Sequence, residues 1–287
     1  MNFNRHTIPY IGNVKIQKLS AATIQGIYQK LEKKGLSPRS IQYVHTTLHE
    51  VLKYTYKMQI IPRNPAEFVS VPKQQKYKAQ VYDKKEVANL LEAAKGTRFD
   101  IPIRLAVGLG LRRGELLALQ WSDIDFQNNI LSVNKNLVYV DKKYTVGESK
   151  AQSGIRKLAA PPSLMEALRH HKVRQMENKL AFGKDYQDNR LICCRPDGRP
   201  IHTASFSQEF NRFLKSHGLK HIRLHDLRHT NATLMLQMGV PAKVASERLG
   251  HASISITLDT YTHVVQELNQ EAAEKLEDIF VPLKEAK

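Results

Sequence analysis

Cysteine is almost missing from this 287-residue chain; the two that occur, Cys193 and Cys194, are adjacent. Neighbouring thiols close no ordinary loop, which argues against a disulfide framework, and no cysteine spacing suggests a structural zinc. Long apolar runs are missing too. The longest candidate, Ile101 to Leu111, falls short of the roughly 18 residues of a membrane helix and carries Arg104. The first residues, Met1 to Gly12, lack the apolar core of a secretory signal. No internal repeat, low-complexity tract or phosphate-binding P-loop is visible. Acidic residues are scarce: 27 Asp plus Glu stand against 44 Lys plus Arg, for a net charge of +17.

That excess is unevenly spread. Residues 1–78 hold 13 basic and 3 acidic residues. Basic surface displaces condensed counterions from nucleic acid, so a polyanion is the natural partner. An anionic membrane fits less well, because the basic residues are distributed through helical patterns and form no single tract. The hydrophobic fraction of 41% fits a globular chain with a real core.

The periodicity predicts a mainly α fold with a small antiparallel β-sheet. Residues 20–34 read as an amphipathic helix, with Ser20 as cap, Gly35 as stop and Ile24, Ile27, Tyr28 and Leu31 on one face. Ser37-Pro38 opens a second helix, whose inner face is Ile41, Val44, His45, Leu48, Val51, Leu52 and Tyr56. A Lys- and Gln-rich linker follows from Pro72. Three parts result: a segment 1–12, a small basic helical domain over 13–75, and a larger domain over 76–287. In the larger domain, Asp83 and Glu86 predict a capping box before a helix over 87–94. Further helices are expected at 99–109, 113–119, 163–179, 204–216, 225–238, 241–249 and 264–279. The period changes to two over 130–159, which predicts short strands.

Transfer of a phosphodiester needs a nucleophile, cations around the non-bridging oxygens, an acid for the leaving oxygen, and donors that hold the geometry. Four segments offer such a set. Leu109-Gly-Leu-Arg112-Arg-Gly-Glu115 places an Arg at a helix start. His225-Asp-Leu-Arg228-His229 places a second, with His225 three residues earlier. Leu249-Gly-His251 puts a His after a helix, and Tyr261 follows ten residues on. In this order and spacing they resemble the boxes of the tyrosine recombinases, over about residues 80–280. The basic helical segment is similar to that family's core-binding domain. Leu109 departs from the pattern, which often has a small polar residue there.

The resemblance implies a role for each matching residue. Arg112 and Arg228 would clamp the scissile phosphate. His225 and His251 would donate to it, with His225 also a candidate base. Tyr261 would be the nucleophile, and Glu115 would orient the site. Ser149-Lys150-Ala-Gln-Ser153-Gly-Ile-Arg156 is similar to the family's hairpin segment, so Lys150 would protonate the leaving oxygen, with Lys142, Lys143 and Lys157 as rivals. No cofactor or metal is expected. The implied partners are double-stranded DNA, held in a C-shaped clamp, three further copies of the chain on that DNA, and accessory DNA-bending or directionality proteins. The implied location is the bacterial cytoplasm, at the nucleoid. Integrases of this type often begin with an arm-binding domain, which this chain either lacks or has lost by shortening.

Plainer readings exist for each residue alone. Arg112 and Arg228 could be surface arginines, Tyr261 a half-buried aromatic, and His229 a packed histidine. His225 and His229 stand at the i, i+4 spacing of a zinc-binding helix, but Asp226 replaces the glutamate such a site uses. Arg39, Lys53, Lys57 and Arg63 are placed to meet DNA phosphates or simply to face water. A type IB topoisomerase and a DNA-binding regulator with a dead catalytic fold are the competing functions.

Overall fold

Short polar side chains start the long helices of the first part of the chain. In this computed structural model, which describes residues 2–73, 79–140, 143–148 and 154–260 together with 273, 274 and 276, contacts divide the chain into Met1–Lys78 and Ala79–Lys287. The first unit holds α1 (Asn2–His6), α2 (Ile8–Ile11), α3 (Ala21–Lys33) and α4 (Pro38–Lys57). The Ser20 hydroxyl accepts from the Thr23 amide and the Ser37 hydroxyl from the Ser40 amide, satisfying donors that a helix start leaves open. Ile24, Ile27, Tyr28 and Leu31 pack against Ile41, Val44, Leu48 and Leu52. The buried Tyr28 hydroxyl bonds His45 Nδ1 at 3.0 Å. Val51 and Tyr56, expected on this face, are instead 44% and 51% exposed. At about 100° per residue they fall roughly 70° to either side of the stripe's centre, on its flanks.

The second unit opens with α5 (Lys84–Ala94), whose capping box is complete: Asp83 Oδ1 accepts from the Glu86 amide and Glu86 Oε2 from the Asp83 amide. Then come α6 (Asp100–Leu109) and α7 (Arg113–Ala118). Strands β1 (Ile124–Asp125), β2 (Ile130–Val133), β3 (Lys135–Val140), β4 (Lys143–Glu148) and β5 (Arg156–Ala159) follow. They form an antiparallel sheet ordered β1-β2-β5, pairing Leu131 with Leu158 and Val133 with Arg156, and a β3–β4 hairpin pairing Leu137 with Val146. Helices follow: α8 (Pro162–Phe182), then, after an irregular stretch over 186–202, α9 (Thr203–Ser216), α10 (Asp226–Gln237), α11 (Ala242–Leu249) and α12 (Ile254–Thr260).

Helices α1, α2 and α12 and strand β1 lie outside the segments the sequence predicts, and α8 runs three residues past its expected end at 179. Ile155, expected among the strands, is 55% exposed just before β5. The helix expected over 264–279 lies outside the described residues, apart from 273, 274 and 276, which are helical. Among the described residues no helix is long and apolar enough to cross a membrane.

Helix α10 positions the site. It is buried on nearly all sides, from Leu227 and Arg228 through Ala232 to Leu236, as expected of a helix enclosed within a domain. Ala232, Met235 and Leu236 pack on Ala245 and Leu249 of α11. Asn231 Nδ2 donates to the Val107 carbonyl of α6 at 2.6 Å. Where α6 ends, Gly110 turns left-handed at φ +63. A Cβ there would lie 2.5 Å from Leu249 Cδ2 and 2.7 Å from Asn231 Oδ1. At Gly114 a Cβ would meet Asn136 Oδ1 of β3 at 1.8 Å, so the hairpin rests directly on the α7 backbone.

Gly110→Ala is therefore expected to cost on the order of 3 kcal/mol, from left-handed strain and overpacking together. Gly108→Ala, whose new carbon would meet Leu164 Cδ2 at an ordinary 3.6 Å, should leave stability near the parent's. Thermal denaturation of the two variants checks the contrast.

Candidate active site

A helix end leaves carbonyl oxygens without intrahelical partners and carries a partial negative charge. At the end of α11, three consecutive carbonyls each accept from a different arginine. Arg156 Nε donates to Arg248 O at 2.6 Å, Arg228 Nη2 to Leu249 O at 2.6 Å, and Arg112 Nη2 to Gly250 O at 2.7 Å. Arg228 Nη1 also donates to Gly110 O, the end of α6, at 2.7 Å. These arginines come from β5, α10 and the loop before α7, so one helix terminus gathers segments scattered through the unit. Guanidinium suits this because its fixed fork can hold a carbonyl and keep its charge.

One buried carboxylate links two of the three. Glu115 Oε1 accepts from Arg112 Nη1 at 2.7 Å, and Oε2 accepts from Arg156 Nη2 at 3.0 Å and from the Arg112 amide at 2.9 Å. Burial alone would raise the Glu115 pKa. The hydrogen bond and charge of Arg156, joined by the backbone and side-chain hydrogen bonds of Arg112, outweigh it and hold the carboxyl below its ordinary value. Arg228 is 3% exposed, whereas the Arg112 side chain keeps 41% of its surface.

The histidines sit at the edges of this cluster. His251 directly follows the α11 carbonyls; its amide donates to Ser246 O, and Nδ1 lies 2.8 Å from Thr257 Oγ1. Burial, then the charges of Arg228 and Arg112, bring its pKa down to about 4. His225 directly precedes α10, its ring edge-on to His229 at 5.3 Å. Although His225 reaches solvent, desolvation and then Arg228 lower its pKa; His229 falls to about 4 through burial and its neighbour His225. Asp226, fully buried, takes two bonds from Arg223, at 2.9 and 2.8 Å. At neutral pH the cluster thus carries guanidinium charge and neutral imidazoles. It can bind an anion with oxygens on several sides and donate hydrogen bonds to each.

Of the expected residues, Arg112, Arg228, Glu115 and His251 meet at the end of α11, with His225 one turn before Arg228. Tyr261 and Lys150 lie outside the described residues, as do Lys142 and Ser149. Arg156, Thr257 and the Arg223–Asp226 pair were given no role from the sequence. Arg156 stood in the quoted hairpin segment, so its position was visible and its partner was not. Nothing in the sequence singled out Thr257. A cavity of about 740 Å³, lined by Arg98, Tyr144, Arg195, Arg199 and His202 among others, includes none of the cluster. In the first unit, Arg39, Lys53, Lys57 and Arg63 are all exposed. Arg39 and Lys57 are about five turns apart on one line of α4, flanked by exposed Tyr43 and Tyr54.

The pKa directions set the pH response. A carboxyl with a depressed folded pKa stabilises the fold above its unfolded value and loses that contribution as pH falls through the folded value. Glu115→Gln should therefore lower stability by on the order of 3 kcal/mol at pH 7. The gap to the parent should narrow below pH 4.5, the group's ordinary value. For His229 and His251 the unfolded chain takes up protons below 6.5 while the folded chain resists until about 4, so the parent loses stability across that interval. Denaturant titrations at several pH values check both.

Comparison with known proteins gives the family of the chain. A sequence model of the phage integrase family matches residues 80–267, and one described as the phage integrase N-terminal SAM-like domain matches residues 1–32. The chain is 31% identical to a protein named tyrosine recombinase XerC-like from Caldanaerobacter subterraneus, over 98% of this chain and 78% of that one. It is 29% identical to the ICEBs1 integrase of Bacillus subtilis, over 96% and 76%. Its fold is similar to that of the Tn1549 transposon integrase solved with a circular intermediate DNA, with TM-score 0.76, 21% identity and 91% and 86% of the two chains covered. It is also similar to a lambda integrase tetramer bound to a Holliday junction, with TM-score 0.64, 19% identity and 88% and 67% covered. The chain belongs to the phage integrase family, the tyrosine recombinases.

Proposed function

We propose that this protein is a site-specific DNA recombinase, an integrase that cleaves and rejoins DNA to insert or excise a mobile element. The observation that carries the reading is the attachment of Arg112 and Arg228 to adjacent carbonyls, which supports their joint action on one phosphate. Tyr261 attacks the scissile phosphorus; a phosphorus–oxygen bond to the phenol forms as the bond to the 5′ oxygen breaks. A free phenol has a pKa of about 10, and the nearby guanidinium charges favour the phenolate as it forms. His225 takes the phenol proton and Lys150 gives one to the departing 5′ oxygen. The resulting 3′-phosphotyrosyl link conserves the energy of the broken bond, so the reaction calls for neither ATP nor metal. A 5′ hydroxyl from another strand reverses the step and completes exchange.

His251 donates to a non-bridging oxygen, and Glu115 fixes the orientation of Arg112. In the first unit Arg39, Lys53, Lys57 and Arg63 meet backbone phosphates, a role that positions the protein and reads no sequence. Likeness to the lambda integrase tetramer on a Holliday junction supports four protomers working on two sites, exchanging strands in pairs. Accessory DNA-bending or directionality proteins complete the assembly, in the bacterial cytoplasm at the nucleoid.

A nicked duplex carrying the element's end sequence, taken from DNA flanking the gene, traps the covalent intermediate. The parent should give a protein–DNA band on a denaturing gel. Tyr261→Phe should give none, and Arg228→Lys should slow the band's appearance by about 100-fold or more. A two-site plasmid should yield recombinants; relaxation without recombinants would favour a topoisomerase, and no covalent band would refute strand transfer through tyrosine.

A further inference from the structure

We infer that Thr257 is a positioning residue for strand transfer: its hydroxyl donates to Nδ1 of His251, which keeps the imidazole proton on Nε2 to be offered to the phosphate. The inference rests on the reading of His251 as a phosphate donor. Thr257 lies on α12 and is completely buried, and its Oγ1 is 2.8 Å from Nδ1. The bond ties α12 to the turn that leaves α11, where the arginine-holding carbonyls stand.

The direction of the bond follows from satisfying a buried group. A hydroxyl has one proton to give, and a buried one needs an acceptor. Nδ1 of His251 is the partner of the Thr257 hydroxyl among the described residues. Were Nδ1 protonated, both atoms would present a hydrogen to the same contact, or the buried hydroxyl would give up the one partner it has among the described residues. With the hydroxyl donating, Nδ1 is the acceptor and the single proton of a neutral imidazole must sit on Nε2. Neutrality is the resting condition, since the His251 pKa lies near 4. The charged ring would donate from both nitrogens whatever Thr257 did; the neutral ring donates from only one, so its tautomer decides whether the phosphate gains a hydrogen bond.

The test uses the full chain labelled with ¹⁵N-histidine, with the His251 signals assigned by loss in His251→Gln. Long-range nitrogen–proton correlation at pH 7 should show His251 protonated at Nε2 and bare at Nδ1. Thr257→Ser should preserve the pattern, and Thr257→Val, nearly equal in volume, should lose it. On the nicked duplex at saturating DNA, Thr257→Val should form the covalent link about tenfold more slowly, the scale of one lost buried hydrogen bond, with DNA affinity unchanged. Thr257→Ser should restore the rate. A parent His251 protonated at Nδ1, or a Thr257→Val protein with the parent's tautomer and rate, overturns the inference. A correct tautomer in a parent that never links to DNA overturns the recombinase reading instead, and with it the part assigned to Thr257 in that reaction.

Discussion

Three arginine side chains bonded to three consecutive carbonyls at the end of one short helix hold this candidate active site together. The Arg248, Leu249 and Gly250 oxygens would be unsatisfied acceptors at the α11 terminus, and Arg156, Arg228 and Arg112 would be cations in a half-buried place. Each need answers the other. Charge-assisted bonds of 2.6 to 2.7 Å are short and strong, and the helix dipole adds to them. The consequence is geometric: residues from the first, middle and last thirds of the second unit meet at one point because a single helix end collects them. The fold around it serves that convergence, with Gly110 letting α6 stop against α10 and α11, and Gly114 letting the hairpin lie on α7.

The same arrangement explains the electrostatics. Three guanidinium groups are balanced by helix-end carbonyls and one carboxylate, Glu115, which is itself shared between two of them. Carbonyls orient a cation without cancelling its unit charge, so positive charge remains for a polyanion. Desolvation, with that surplus, lowers the pKa of the adjoining imidazoles and keeps them neutral, which suits the proposed roles of His225 as a base and His251 as a single-proton donor. A phosphate entering such a site meets cations already fixed in place, so little reorganisation is required as its charge changes during transfer.

Much of this could be read in the sequence, for definite reasons. Helices with strong apolar periodicity and caps, such as α3, α4 and α5, announced themselves through Ser20, Ser37 and the Asp83–Glu86 pair. Arg112, Arg228, His225 and His251 stood in short segments whose order is informative even where each alone is weak. Helix α12 escaped because Ile254-Ser-Ile-Thr-Leu is rich in β-branched residues and only seven residues long; Ser253, whose hydroxyl accepts from the Ser255 amide, marked its start, but tertiary packing overrides such weak propensity. The burial of Val51 and Tyr56 was overstated because a helical stripe shows which side is apolar but not how far a neighbouring helix covers it. The Arg156–Arg248 and Thr257–His251 bonds span chain segments whose meeting no local pattern encodes. Carbonyl acceptors in particular leave no trace in residue identity.

The central question is whether the clustered arginines serve a single phosphate. A crystal structure of the chain on its own site, with Tyr261 replaced by phenylalanine to stop the chemistry, measures this directly. It should show the Arg112 and Arg228 guanidinium groups both within about 3 Å of oxygens on the scissile phosphate, still bonded to the Gly250 and Leu249 carbonyls. Arginines on separate phosphates, or a phosphate reached only after those carbonyl bonds break, would contradict it.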